Sequence, residues 1–362
     1  MTPSQAQRVG SDYLTWTKRR AGVRCNLARS AVPRLAFERL DLTLADLLHN
    51  ENAEDGWPPL MERIAARQGL EPAHVVTTHG CSMANHIVFA ALVEAGDDVV
   101  MEAPVYEPLL ALAEYCGARV VPFQRHAENR WHIDADEVAR TLTPKTKLVV
   151  LSNLHNPTGA LENDATLADI ANAASRLGAR VLVDEIYLDL MHARGIRSAT
   201  RLSPSIVATN SMTKAFGLDG IRLGWVLAEP ALAERMRRLN DLFSINTAHP
   251  SERIAARALE RADSLLAASN ALLLRNIEII DDFVGENENL SWAKPRGGTV
   301  GFVHAAGVDV DRWADRLHAE FEVAVVPGRF FGVPDHFRIS FSLETDLLRE
   351  ALVRIKHALR AA

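Results

Sequence analysis

Residues 145–157 read KTKLVVLSNLHNP, and within them LVVLS (148–152) is a nearly unbroken apolar, β-branched run that stops at turn-forming residues. A run without polar alternation is the pattern of a strand buried on both faces, as in a parallel sheet covered by helices. Downstream, VLVDE (181–185) repeats the pattern, and the helical NDATLADIANAASRLG (163–178) lies between the two. Upstream, HVVTTHG (74–80) leads into CSMANHIVFAALVEAG, DDVVMEAP (97–104) leads into YEPLLALAEYCG, and ARVVPF is followed by IDADEVARTLT. SIVATNS (205–211) closes the series. Strands alternating with helices of 10 to 15 residues predict βαβ units and an α/β fold built on a mostly parallel sheet.

After about residue 230 the pattern changes. Two or three long helical segments run to about Asp282, followed by a Gly/Pro-punctuated tail with GGTVGFVH, FEVAVVPG and FRISFS. This tail predicts a smaller α+β domain, its remaining elements drawn from the irregular first 45 residues. The expected division is 46–284 for the large domain and 1–45 plus 285–362 for the small one, joined through helix.

Composition narrows the function. Of 362 residues, 48% are apolar and 24% charged, the balance of a soluble globular chain. A net charge of −6 without a Lys/Arg block gives no footprint for nucleic acid. Cys25, Cys81 and Cys116 have neither a CxxC spacing nor an even count, which excludes a disulfide framework and a zinc site and implies a reducing compartment. With no signal-peptide pattern and no apolar stretch of about 20 residues, the expected location is the cytoplasm, away from any membrane.

Ligands of open α/β sheets bind beyond the carboxyl ends of the strands. Gly80, Cys81 and Ser82 stand there between a strand and a helix, where free amides and the helix dipole favour an anion. Asn156 follows LVVLS, Asp184 and Tyr187 end VLVDEIY, and Ser211, Lys214 and Arg222 follow SIVATN. Each alone has an ordinary explanation as a turn former, a cap, a solvated amine or half of an ion pair. Their occurrence together at successive strand ends argues for one site.

These residues carry a resemblance. TTHGCSMAN, APVY, NLHNPTG, VDEIY, SMTKAFGLDGIRLGW (211–225), GG at 297–298, VVPGRFFG and FRISFS stand in the order of the class I/II aminotransferases. Those are fold-type I enzymes dependent on pyridoxal 5′-phosphate, and the likeness spans about residues 45 to 345. The resemblance implies that Lys214 forms the Schiff base with the cofactor and then serves as general base. It implies that Asp184 pairs with the pyridine nitrogen, and that Asn156 and Tyr187 bond the ring oxygen. Tyr106 would stack on the ring, while Ser211, Arg222 and the Cys81 and Ser82 amides hold the phosphate. Arg338 would take the substrate α-carboxylate as a two-pronged fork, a task lysine does poorly. The implied activity is amino-group transfer between an amino acid and a 2-oxo acid by a homodimer. β-Elimination or cyclisation of a modified amino acid on the same scaffold is the alternative. A cofactor-binding sensor of a transcription regulator is a third reading, disfavoured because no helix-turn-helix pattern precedes the matching region.

Two segments depart from the family. Glu51 stands where members carry a tyrosine that reaches the neighbouring subunit's phosphate, with Asn52 beside it as a substitute. CNLARSAVP (25–33) replaces a glycine-rich loop, making Arg29 and Ser30 candidate substrate contacts. Cys81 reads as a buried small residue, and His155 is assigned no catalytic role.

Overall fold

A computed structural model describes residues 10–47 and 55–360. The strands Val75–Thr78, Gly224–Leu227, Ile206–Ser211, Arg180–Asp184, Thr146–Ser152, Asp98–Ala103 and Arg119–Gln124 lie side by side in that order. Gly224–Leu227 runs antiparallel to both its neighbours, and the remaining pairs are parallel. The sheet is buried on both faces, as the unalternating apolar runs require. Leu148 and Val150 pack into one layer with Ile87, Val88 and Leu182. Val149 and Leu151 point the other way, against Leu167, Ile170 and Val183.

The helices begin where the sequence marks them. Asn163 caps Asp164–Ser175 by accepting the Thr166 amide, and Asp134 caps Ala135–Thr141. Three helices follow the sheet: Pro230–Ser244, His249–Glu260 and the 24-residue Ala262–Gly285. None of the helices among the described residues is long and apolar enough to cross a membrane.

The tail forms a four-stranded antiparallel sheet in the order Val326–Pro327, His336–Ser340, Val300–Ala305, Leu290–Trp292. Helices Val310–Phe321 and Thr345–Arg360 accompany it. The first residues join this half: Cys25–Asn26 pairs in parallel with Val323–Ala324. The chain between residues 27 and 35 then crosses to the large sheet's side, where Val32 N donates to Lys214 O at 3.0 Å. This crossing brings both halves to one edge.

Candidate active site

The carboxyl ends of the parallel strands converge because their register is aligned. Ser152 lies opposite Asp184, and Asp184 opposite Thr209. At that edge is a cavity of about 190 Å³ lined by Ser30, Cys81, Ser82, Tyr106, Asn156, Asp184, Tyr187, Ser211, Lys214 and Arg222, together with Asn85, Ser152, Ile186 and Thr213. Ten of the twelve residues proposed from the sequence therefore share one wall. The other two, Arg338 and Arg29, stand outside it.

One corner is built for an anion. The helix Cys81–Leu92 starts at Gly80 with no side-chain cap, so its first amides have no intrahelical partner, and Cys81 and Ser82 line the cavity. Gly80 has φ +81, and a Cβ there would lie 2.5 Å from Arg222 Nη2. A Cβ on Gly224 would come within 2.7 Å of Cys81 N. Both glycines are thus required for the loop, the antiparallel strand and the arginine to close together. Arg222 itself adopts a left-handed backbone and donates to Asp219 O at 3.0 Å.

Asp184 forms the floor. Its Oδ1 accepts Ile186 N at 3.1 Å, and its Oδ2 accepts Asn85 Nδ2 at 3.0 Å. Asn85 is in turn fixed by Thr209 Oγ1, which donates to its Oδ1 at 2.6 Å. Burial raises the Asp184 pKa, and the Asn85 and Ile186 donors pull it back. Cys81 Sγ sits 3.7 Å from the same carboxylate, and burial pushes its thiol well up, which makes it a packing residue rather than a thiolate.

Lys214 Nζ donates to Ser30 Oγ at 2.9 Å. Burial, then the positive charges of Arg338 and Arg29, bring its pKa down to about 8. Ser30 is also tied to the small half, because Thr299 Oγ1 donates to Ser30 O at 3.0 Å. Tyr187 and Tyr106 are pushed up by burial and remain phenols.

Arg338 is wholly buried behind Asn156. Its Nη1 donates to Asn156 Oδ1 at 3.0 Å, and Nη2 donates to Tyr13 Oη at 2.9 Å and to Ala28 O at 2.8 Å, while Nε has no partner. Arg29 lies 3.9 Å from Asp219 and contributes its charge rather than a contact to the cavity. His155 is buried, its Nε2 donating to Pro104 O and its Nδ1 accepting from Thr158 Oγ1, a pattern that uses both nitrogens structurally. Glu51 and Asn52 lie outside the described residues.

Sequence reasoning missed Asn85, Ser152 and Tyr13. Asn85 had a signal, one helical turn beyond Cys81 on the buried side. Tyr13 had none, for it meets Arg338 across 325 positions and packs edge-on to Tyr106 at 5.6 Å between centroids.

The family model for aminotransferase class I and II matches residues 35–355. The chain belongs to that family. It is 32% identical over 320 residues to capreomycidine synthase of Streptomyces vinaceus, covering 87% of this chain and 82% of that one. It is 29% identical over 329 residues to an arginine–pyruvate transaminase of Pseudomonas aeruginosa, covering 87% and 84%. A pyridoxal-phosphate-dependent aminotransferase from Streptococcus suis superposes with a TM-score of 0.90 at 25% identity, covering 98% of each chain.

As in its family, the cofactor is pyridoxal 5′-phosphate. The cavity suits that group chemically. It offers a lysine amine of lowered pKa for an aldehyde, a fixed buried carboxylate for a ring nitrogen, and an anion corner that a single added Cβ would fill.

Proposed function

We propose that this enzyme transfers an amino group from an α-amino acid to a 2-oxo acid, as a cytoplasmic homodimer. The observation that carries the reading is Lys214: an amine with pKa about 8, in one cavity with the fixed Asp184 carboxylate and the Arg222 anion corner. Bound pyridoxal phosphate supplies an electron sink that makes the substrate α-C–H acidic. Lys214 takes up and returns a proton at Nζ, and Ser30 Oγ orients that amine. Asp184, fixed by Asn85 and the Ile186 amide, would pair with the ring nitrogen and keep it protonated. Ser211, Arg222 and the Cys81 and Ser82 amides would hold the phosphate. Tyr106 would cover the ring, and Asn156 and Tyr187 would bond its oxygen. Arg338 receives the α-carboxylate, with Arg29 and Ser30 on the side where the substrate enters.

The domain division is 46–284 against 1–45 plus 285–362, and the pairing of Cys25–Asn26 with Val323–Ala324 supports it. Leu242, Phe243 and Ile245 are 79%, 48% and 71% exposed at the end of one helix, an apolar group that a second copy would cover. The free thiols of Cys25, Cys81 and Cys116 are in keeping with a reducing compartment.

One observation favours a second reading. The 32% likeness to capreomycidine synthase exceeds the 29% likeness to the transaminase, so ring closure or elimination on the same residues is the competitor. Single amino acids are added to the cofactor-loaded protein without any oxo acid. Bleaching of the visible absorption with one equivalent of 2-oxo acid per site is the expected result. Persistent colour with continuing release of ammonia or a cyclic product would replace transamination by the second reading. A protein that takes up no cofactor would overturn both.

A further inference from the structure

Beneath the Ser152–Asn156 turn is a buried ion cluster, Glu102, Arg125 and Glu162, none of which lines the cavity. Arg125 lies between two carboxylates, all three side chains at 1% exposure or less. Its Nε donates to Glu102 Oε2 at 2.9 Å, and its Nη1 donates to Glu162 Oε1 at 2.7 Å and to Trp131 O at 3.0 Å. Nη2 completes the set on Ser152 O at 3.3 Å. Two carboxylates against one guanidinium leave a negative charge in excess inside the protein, where a charge persists only if it is fully hydrogen-bonded.

Among the described residues no cation besides Arg125 pairs with Glu102. His155 Nε2 is 3.8 Å from Glu102 Oε1, but burial holds the imidazole well below its ordinary pKa, so it stays neutral. His132, at the exposed end, faces Glu162 Oε2 at 3.3 Å and lies on the far side of Arg125 from Glu102. Glu102 is therefore pushed up to about 7, mainly by burial and against the pull of Arg125 and Ser152.

The excess charge is directed at the active site. Glu102 Oε1 accepts both Ser152 N at 2.8 Å and Ser152 Oγ at 2.7 Å. With its proton committed there, Ser152 Oγ accepts Asn156 N at 3.2 Å. Asn156 Oδ1 then accepts Arg338 Nη1 at 3.0 Å. We propose that Glu102 is a positioning residue for substrate binding: through Ser152 and Asn156 it holds the Arg338 guanidinium in the pose that receives the α-carboxylate. This rests on the reading of Arg338 given above. Protonating Glu102 puts a hydrogen on an oxygen that now accepts, so the chain of bonds loosens on the acid side of neutrality.

The test compares Ser152→Ala, Glu102→Gln and Arg338→Lys as cofactor-loaded enzymes, using the amino-acid donor found by the bleaching assay. Ser152→Ala cuts the hydroxyl link and leaves no buried charge unpaired, so it stays informative if Glu102→Gln does not fold. The expected result is a KM raised at least fivefold by Ser152→Ala with kcat within twofold. An acid-side fall in wild-type kcat/KM near pH 7 should shrink in the same variant. If Arg338→Lys raises KM and Ser152→Ala does not, the role of Glu102 is refuted and that of Arg338 stands. If neither raises KM, the carboxylate assignment to Arg338 fails first. A Ser152→Ala enzyme that only melts earlier, with KM and pH profile unchanged, would make the cluster merely structural and overturn the proposal.

Discussion

Replacing Arg338 by methionine should move the ionisation of an amine that it does not touch. Lys214 titrates at about 8 because it is buried and because Arg338 and Arg29 place positive charge around it, in that order of effect. Relative to an ordinary lysine at 10.5, a midpoint of about 8 multiplies the neutral amine at pH 7 roughly 300-fold. Loss of one neighbouring positive charge raises a pKa by on the order of one unit, so Arg338→Met should cut the neutral fraction roughly tenfold. Arg29→Met should act the same way but less, because Arg29 is partly exposed and already faces Asp219. The assay is competitive acylation of the cofactor-free protein from pH 6 to 11, with label at residue 214 read by peptide mass spectrometry. Stability supplies a check on sign. The folded pKa lies below the unfolded value, so the unfolded chain binds more protons between about pH 8 and 10.5, and this residue's contribution to stability rises with pH across that window. A wild-type midpoint at or above 10, or an Arg338→Met midpoint that stays or falls, would refute the electrostatic account of Lys214.

Gly80→Ala should weaken cofactor binding at least tenfold in a spectroscopic titration while leaving the far-ultraviolet circular dichroism unchanged. The new Cβ would stand 2.5 Å from Arg222 Nη2 at a backbone φ of +81, so the guanidinium must leave the anion corner. If the proposed dimer forms through this apolar group, wild type should sediment at twice 39.8 kDa and Leu242→Glu with Ile245→Glu at 39.8 kDa; a wild type already at 39.8 kDa would refute the dimer, and an unchanged double variant would move the contact elsewhere.

The parts of this molecule visible in its sequence are those set by local chemistry. LVVLS and VLVDE read as doubly buried strands, and in the sheet their alternate residues do enter opposite layers. Lys214, Asp184 and Arg222 were legible because each follows such a run at the edge where ligands gather. The two-residue strand Cys25–Asn26 had no period to read, and its partner lies nearly 300 positions away. The Glu102–Arg125–Glu162 cluster was hidden for a related reason. Glu102 is on a strand, Arg125 just past one and Glu162 in a loop before a helix, and only the packed sheet and loops bring two acids to one base.

The antiparallel strand Gly224–Leu227 has a consequence for the order in which the molecule can assemble. By pairing with both Ile206–Ser211 and Val75–Thr78, the last strand on that side of the sheet, it holds Arg222, two residues before it, beside Ser211 and against Gly80. Lys214 and Arg222 are neighbours along the chain, whereas the Gly80 amides reach them only once this margin strand has docked across a separation of well over a hundred residues. A chain with the margin strand unseated has its lysine but lacks the proposed phosphate cradle. Cofactor therefore distinguishes finished molecules from nearly finished ones, and at a hundred times its dissociation constant favours the finished state by about 2.7 kcal/mol.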